Sequence, residues 1–209
     1  MDKNVSKRND LLAKTVIRGL ESRNMSGYYV KTKEEALNKA LELIPKGGKV
    51  TMGGSASIRE IGLVEALNNG EYDFCDRDNM EDKRAAALFA YDADVFLGSV
   101  NAMTDDGILV NIDGNSNRVS AYAYGPKQLV LVVSINKVCS DIDSAMKRAR
   151  NEAATSNVQR FNLSTPCTTL GKCMDCKSPD TICCQFLITR FSRHKDRIHV
   201  ILVEEPLGF

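Results

Sequence analysis

The chain has 209 residues, 43% of them apolar, and its 28 Lys and Arg residues nearly balance 27 Asp and Glu residues, which leaves a formal net charge of +1. This length suits one α/β domain with a full core, and the balanced charge argues against a surface built for nucleic acid or acidic membranes. The longest apolar runs, such as Leu129–Val133, are too short to cross a bilayer, and the charged start MDKNVSKRND lacks a secretion segment. We therefore expect a cytoplasmic protein with no nucleic-acid or membrane partner.

Helical and strand periodicities alternate along the chain. In order, they predict a helix at 9–23, a strand at 28–30, a helix at 32–44 with a capping box from Thr32 to Glu35, a strand at 49–52, a helix at 57–68, a strand at 72–74, a helix at 80–91, strands at 94–98 and 128–134, a helix at 141–157 and a strand at 197–203. Strands interleaved with helices indicate an α/β fold whose mostly parallel sheet is flanked by helices. We expect an N-terminal helical segment, residues 1–46, packed on an α/β domain, residues 47–209, with a cysteine-rich loop at 166–185.

The first candidate site is the glycine loop that follows the strand 49–52. Gly53 and Gly54 let the backbone approach a ligand, and Ser55 and Ser57 add hydroxyl donors where the next helix begins. This combination favours a phosphate or a carboxylate, although it matches no specific nucleotide motif. A glycine turn with a serine cap is the other interpretation.

A second polar loop follows the strand 94–98. Residues 101–118 are unusually rich in amides, carboxylates and glycines, and the candidate ligand-binding residues there are Asn101, Asn111, Gly114, Asn115 and Arg118. In parallel α/β sheets the ligand crevice lies beyond the carboxyl ends of the strands, where this loop and the glycine loop both emerge. We expect the two loops to face one pocket.

Three carboxylates are candidate general bases, because a carboxylate screened from water can have its pKa raised toward neutrality. They are Glu60, Asp106 and Asp113, and Lys127 joins Arg118 as a candidate anion clamp. Each has a plainer interpretation, since Glu60 fits an exposed helix face and Lys127 directly follows the Gly125–Pro126 turn.

Five of the seven cysteines lie between Cys167 and Cys184. The spacing predicts that Cys167, Cys173, Cys176 and Cys183 bind a metal centre, because a C-x-x-C pair lets two thiolates converge on one ion. Both zinc and an iron–sulfur cluster accept four thiolates, and the spacing does not choose between them. Free or disulfide-linked cysteines are the alternative. Adjacent residues point in different directions, so Cys183 is favoured over Cys184 as the ligand.

Three sequence strings together resemble one family. The strings TMGGSASIREIGL, FLGSVNAMTDDGILVNIDGNSNRV and YGPKQLVLVVSINKV are similar to those of the LUD, or lactate-utilisation, domain family, which includes LutC- and YkgG-like proteins. The resemblance implies the fold shared by ribose-5-phosphate isomerase, glucosamine-6-phosphate deaminase and coenzyme A transferases. It also implies an anion-binding loop at Gly53–Ser55 and a strand-end D-G-x-x-x-N core at Asp106–Asn111.

Two functions follow from this resemblance and the cysteines. The first is an accessory or redox subunit in the oxidation of a small hydroxy acid such as L-lactate, working beside an iron–sulfur partner subunit. The second is a stand-alone isomerase-like or transferase-like enzyme that acts on a small phosphorylated or carboxylated metabolite. Both require a small anionic ligand, and we expect a homo-oligomer.

Overall fold

A computed structural model describes residues 2–209 and shows an α/β fold with two sheets. The strands are β1 (Ser26–Val30), β2 (Lys49–Met52), β3 (Asp73–Cys75), β4 (Val95–Gly98), β5 (Ala102–Thr104), β6 (Leu109–Asp113), β7 (Gln128–Ser134), β8 (Val138–Cys139), β9 (Gln185–Thr189) and β10 (Ile198–Val203). The helices are α1 (Lys3–Ser22), α2 (Lys33–Leu43), α3 (Ala56–Glu60), α4 (Leu63–Asn68), α5 (Lys83–Tyr91), α6 (Asn117–Ala123), α7 (Ile142–Arg148), α8 (Thr155–Asn157) and α9 (Pro166–Leu170). A π-helical stretch, Ala149–Ala154, joins α7 to α8.

The main sheet has six parallel strands in the order β1-β10-β7-β4-β2-β3. Its central strands are buried on both faces, which explains their continuous apolar sequences. Along β7, Leu129 and Leu131 pack into a core that includes α1, whereas Val130 and Val132 pack into a second core beneath α2 and α4. Helices therefore cover both faces of this sheet, and the predicted α/β fold is confirmed.

The first 46 residues share these cores with the rest of the chain. Strand β1 pairs in parallel with β10 at one edge of the main sheet, and Ala13, Val16 and Leu20 of α1 are fully buried against it. The predicted capping box begins α2, where Thr32 and Glu35 satisfy each other's backbone amides. The N-terminal segment thus supplies one strand and two helices to the α/β fold.

The second sheet has four strands in the order β8-β5-β6-β9. Strands β5, β6 and β9 pair antiparallel, and β8 pairs in parallel with β5. The sequence pattern predicts neither these strands nor α6, because β5, β6 and the start of α6 lie in the polar run at 101–118. Strand β9 follows the cysteine-rich segment and pairs with β6, so it ties that segment to the end of the fold where the two candidate loops emerge.

Two predicted helices differ in detail from those observed. The predicted helix 57–68 is divided into α3 and α4 by Gly62, whose φ of 76° is left-handed. The predicted helix 141–157 is continuous but contains the π-helical stretch. This stretch places Ala153 and Ala154 beside the cavity described next.

Candidate functional site

A cavity of about 530 Å³ lies beyond the carboxyl ends of the main-sheet strands. Residues following β2, β4, β6 and β7 line one side, and the end of α8 and the cysteine-rich segment line the other. Its charged lining residues are Arg77, Asp78, Asp113, Arg118, Lys137, Arg160 and Asp180. Four cations thus face three carboxylates around a space large enough for a small metabolite.

Most of the predicted ligand-binding residues meet at this cavity. Those that line it are Gly54, Ser55, Ser57, Asn101, Gly114, Asn115 and Arg118, and the candidate base Asp113 lines it as well. The glycine loop and the second polar loop therefore face one pocket. Sequence reasoning could place them together because both follow strands of the same parallel sheet.

The two glycines of the loop have different surroundings. A Cβ atom on Gly53 would lie 3.1 Å from Cδ of Arg118, so this glycine lets the arginine side chain pack against the loop. A Cβ atom on Gly54 would meet no heavy atom within 4 Å. Gly54 therefore leaves open space at the cavity wall, where a ligand can approach the backbone.

Arg118 is held by several partners at once. Its guanidinium donates to Asn111 Oδ1 at 2.7 Å, to Asn101 Oδ1 at 3.1 Å and to the Ile112 carbonyl at 2.6 Å. The group also lies 5.3 Å from the centre of the Tyr122 ring. These contacts fix the guanidinium at the cavity wall, so a bound anion would meet a cation that is already positioned.

Asn111 and Asp113 support Arg118 in different ways. Asn111 is fully buried beneath the arginine, and its Nδ2 finds no hydrogen-bond partner within residues 2–209. One oxygen of Asp113 accepts the backbone N–H groups of Arg118 and Val119 at 3.1 Å, and it lies 3.8 Å from Nε of Arg118. Asp113 therefore anchors the start of α6 as well as lining the cavity.

Lys137 is the residue that sequence reasoning missed. It is 2% exposed, and its Nζ lies 3.2 Å from Ser99 Oγ, 3.4 Å from the Val100 carbonyl and 3.5 Å from Ser57 Oγ. Burial lowers its pKa to about 7, and the positive charges of Arg148 and Arg118 act in the same direction. The available signal was a single lysine in the short segment that directly follows the apolar strand β7.

Besides Gly53 and Asn111, which lie against the Arg118 side chain, three further predicted site residues do not line this cavity. Glu60 lies nearby at the end of α3, where it accepts the backbone N–H of Gly208 at 3.2 Å and pairs with Lys33 at 3.5 Å. Lys127 has a side chain 77% exposed and pairs with Asp94 at 2.7 Å, at the amino end of β7.

Asp106 is the third such residue, and it lies in the turn between β5 and β6. It accepts a hydrogen bond from the Thr104 hydroxyl and forms an ion pair with Arg23. These contacts, the Thr104 hydrogen bond most of all, lower the pKa of Asp106. This direction is opposite to the one that a general base near neutral pH requires.

The cysteines meet at a second, smaller cavity of about 60 Å³. Cys167, Cys173, Cys176 and Cys183 all line it, whereas Cys184 is exposed and does not. Arg150 donates to Cys173 Sγ at 3.4 Å, and the backbone N–H of Asp175 donates to the same sulfur at 3.5 Å. Burial, together with the other three cysteines, raises the pKa of Cys183 to about 11.

The four sulfurs suit a metal by residue type and by their shared cavity, and the N–H donors around Cys173 resemble those that surround metal-bound thiolates. Within residues 2–209, however, no three His, Cys, Asp or Glu side chains stand close enough together to hold an ion.

The cysteine cavity and the larger cavity share a wall, since Ala154, Thr181 and Ile182 line both. The cysteine cavity therefore adjoins the larger one.

The LUD domain family model matches residues 13–203, which is most of the chain. The chain belongs to the LUD domain family. The resemblance found in the sequence strings is thereby confirmed. A crystal structure of a DUF162 family protein from Deinococcus radiodurans shares the fold of this LUD domain at 11% identity, with a TM-score of 0.57 over 94% of this chain and 98% of the other. A comparison with curated proteins finds no match.

The helices of this LUD domain can be compared with what a membrane-spanning helix needs. Across residues 2–209, no helix combines the length and the apolar character needed to cross a bilayer. The longest, α1, has 20 residues but is amphipathic, with its apolar side buried against the main sheet.

Proposed function

We propose that this LUD domain binds a small hydroxy acid, such as L-lactate, or the matching 2-oxo acid, and works as an accessory or redox subunit in its oxidation. The observation that carries this proposal is the cavity at the ends of the main-sheet strands, with Arg118 and Lys137 in its wall. A planar guanidinium is well matched to a carboxylate, and a buried amine offers a hydrogen-bonding partner for an adjacent oxygen. Both cations come from the carboxyl ends of strands or the segments directly after them.

The cysteine cavity supports the redox part of the proposal. Cys167, Cys173, Cys176 and Cys183 would hold the metal, as an iron–sulfur cluster or as zinc, and only a cluster would transfer electrons. Oxidation of a hydroxy acid to a 2-oxo acid releases two electrons and two protons. An iron–sulfur partner subunit is the proposed acceptor of those electrons.

The two cavities share a wall, so a metal centre in the smaller cavity would lie close to a metabolite bound in the larger one. Ala154, Thr181 and Ile182 line both spaces, so these residues form part of the wall between them. A metal centre in the smaller cavity would also fix the segment carrying Thr181 and Ile182, and with it one side of the larger cavity.

Two measurements on anaerobically purified full-length chain test the proposal. Iron, sulfide and zinc analysis is expected to show a metal bound by cysteine, with a brown colour if it is a cluster. Calorimetric titration with L-lactate and pyruvate is expected to show binding. If neither acid binds, the proposed substrate class is wrong. If the protein contains no metal and five thiols titrate freely, the proposed metal centre is wrong.

Lys137 and Asp113 favour a second candidate function, a stand-alone isomerase-like or transferase-like enzyme acting on a phosphorylated or carboxylated metabolite. Both residues line the cavity, and within residues 2–209 Lys137 has no carboxylate within ion-pair distance. The two candidates differ in whether the chain works alone. Incubation in heavy water would show exchange of a carbon-bound proton of the metabolite with solvent for the isomerase-like enzyme, without any redox partner.

A further inference from the structure

Lys137 is buried in a way that keeps its amine reactive. Its Nζ faces two hydroxyl groups, those of Ser57 and Ser99, and the carbonyl of Val100, at distances of 3.2 to 3.5 Å. Within residues 2–209 no carboxylate lies within 4 Å of it to hold the charged form. Lys137 nevertheless lines the cavity, which brings a small molecule bound there next to its side chain.

The charged groups around Lys137 favour the neutral amine. Burial lowers the pKa most, and the guanidinium of Arg148 comes next. The carboxylate of Glu60 acts in the opposite direction, and Arg118 adds a smaller repulsion. The resulting pKa of about 7, against an ordinary value of 10.5, leaves much of the amine unprotonated at neutral pH. A neutral amine is the nucleophilic form of lysine.

Arg118 lies beside this amine, because Ser99 contacts both residues. The Arg118 guanidinium donates to the Ser99 carbonyl at 3.5 Å, and Lys137 Nζ lies 3.2 Å from the hydroxyl of the same serine. A 2-oxo acid carries its carboxylate directly next to a ketone or aldehyde carbon. Ser99 thus lies between the Arg118 guanidinium, which can bind a carboxylate, and the Lys137 amine, which can act as a nucleophile.

We propose that Lys137 is a catalytic residue that forms an imine with a 2-oxo acid whose carboxylate is bound by Arg118. The amine nitrogen adds to the carbonyl carbon, the carbonyl oxygen takes up the protons released by the nitrogen, and water leaves as the C=N bond forms. This step needs no oxidant or reductant. The inference rests on the proposed function for its substrate class, and it adds a covalent step.

Reductive trapping tests the imine directly. The full-length chain is incubated with pyruvate near neutral pH, cyanoborohydride is added, and the protein is digested and mapped by mass spectrometry. Lys137 is expected to gain one carboxyethyl group. Its neutral fraction near pH 7 is roughly a thousandfold larger than that of a lysine with an ordinary pKa, so labelling of exposed lysines should be far weaker. Mapping on the native chain does not depend on a variant's folding.

Three controls make the result specific. Lys137→Arg should abolish the labelling, whereas Lys14→Arg, at an exposed position of α1, should leave it unchanged. Acetone, which has the carbonyl but no carboxylate, should label Lys137 at least tenfold less than pyruvate because it cannot bind Arg118. Equal labelling by acetone would contradict the pairing of Arg118 with Lys137.

Calorimetric titration separates this inference from the function on which it rests. If pyruvate binds but Lys137 is not labelled above the level of Lys14, the imine is ruled out and the proposed substrate class survives. If pyruvate neither binds nor labels the chain, both are overturned. Labelling of Lys137 that is lost in the Lys137→Arg variant supports both.

Discussion

At the scale of single residues, Lys137 has a stability effect that depends on pH. The unfolded chain protonates this lysine up to about pH 10.5, whereas the folded chain loses the proton near pH 7. The unfolded state therefore binds more protons between these values, and this residue makes the folding free energy more favourable as pH rises through that window. Below pH 7 the cost of burying the charged amine is fully present.

Lys137→Met is expected to remove this pH dependence. Relative to the native chain, the variant should be more stable at low pH, and its advantage should shrink by about 3 kcal/mol between pH 6.5 and 9.5. Urea unfolding of both proteins at several pH values measures the difference. A stability difference that is constant with pH would show that the amine does not titrate in this window.

Gly54 tests the anion site without disturbing the fold. A side chain at this position would project into open space at the cavity wall, so Gly54→Val should change the unfolding free energy by less than about 1 kcal/mol. The branched side chain would occupy the position of a bound carboxylate, and pyruvate binding should weaken at least tenfold.

Gly54→Ala is the matched control for the valine variant. Its single methyl group should weaken binding less, so the loss of affinity should increase with side-chain size. Titration calorimetry on both variants provides the comparison, with thermal unfolding to establish that each is folded. Native affinity in the valine variant would refute the assignment of the glycine loop as an anion site.

At the scale of secondary-structure elements, α1 contacts the second sheet through two glycines, Gly19 of the helix and Gly107 of the β5–β6 turn. A Cβ atom on Gly19 would lie 2.5 Å from the backbone of Asp106, and one on Gly107 would lie 2.7 Å from the backbone of Gly19. The helix and the β5–β6 turn therefore touch backbone to backbone. The adjacent ion pair between Arg23 and Asp106 reinforces the contact.

Gly19→Ala should accordingly be destabilising, although alanine is ordinarily the better helix former. Because backbone atoms cannot move aside as a flexible side chain can, we expect a loss of about 1–3 kcal/mol in the free energy of unfolding. Lys14→Ala, at an exposed position of the same helix, should stay within about 0.5 kcal/mol of the native chain. Equal stability of the two variants in urea would show that α1 can shift away from the turn.

At the scale of the whole molecule, the cysteine-rich loop and the two sheets should respond separately to loss of metal. Cys173→Ser and Cys176→Ser are expected to abolish metal retention, because three thiolates leave a coordination position open to water or a chelator. Proteolysis should then cut between Pro166 and Gln185 while the main sheet, with its buried strands β7 and β10, stays folded.

Cys75→Ser and Cys139→Ser are the controls, since both cysteines lie outside the cysteine cavity. Their metal content should equal that of the native chain by atomic emission. Retention of metal by the Cys173 and Cys176 variants would mean that other ligands hold it. Far-ultraviolet circular dichroism after chelation checks that the sheets persist.

The parallel sheet was predictable because its signal is local. Strands such as 128–134 are continuous apolar runs, and a sheet covered on both faces needs such runs. The second sheet was not predictable in this way. Strands β5 and β8 have only three and two residues, too short for a periodicity. The sheet is completed by the pairings of β5 with β8 and of β6 with β9, whose strands lie far apart along the chain.

The candidate site likewise has a part that was predictable from the sequence and a part that was not. From the sequence alone one could determine that Gly54 and Asn101 face a common crevice, because residues that follow parallel strands emerge at one edge of the sheet. Arg118 reaches the same crevice after β6 of the second sheet. Only the tertiary structure decided that Asp106 and Lys127 are engaged elsewhere and that Lys137 lines the crevice. The physical reason is that ion pairs and burial depend on which distant elements pack together, whereas the periodicity of a strand depends only on residues that are adjacent in the sequence.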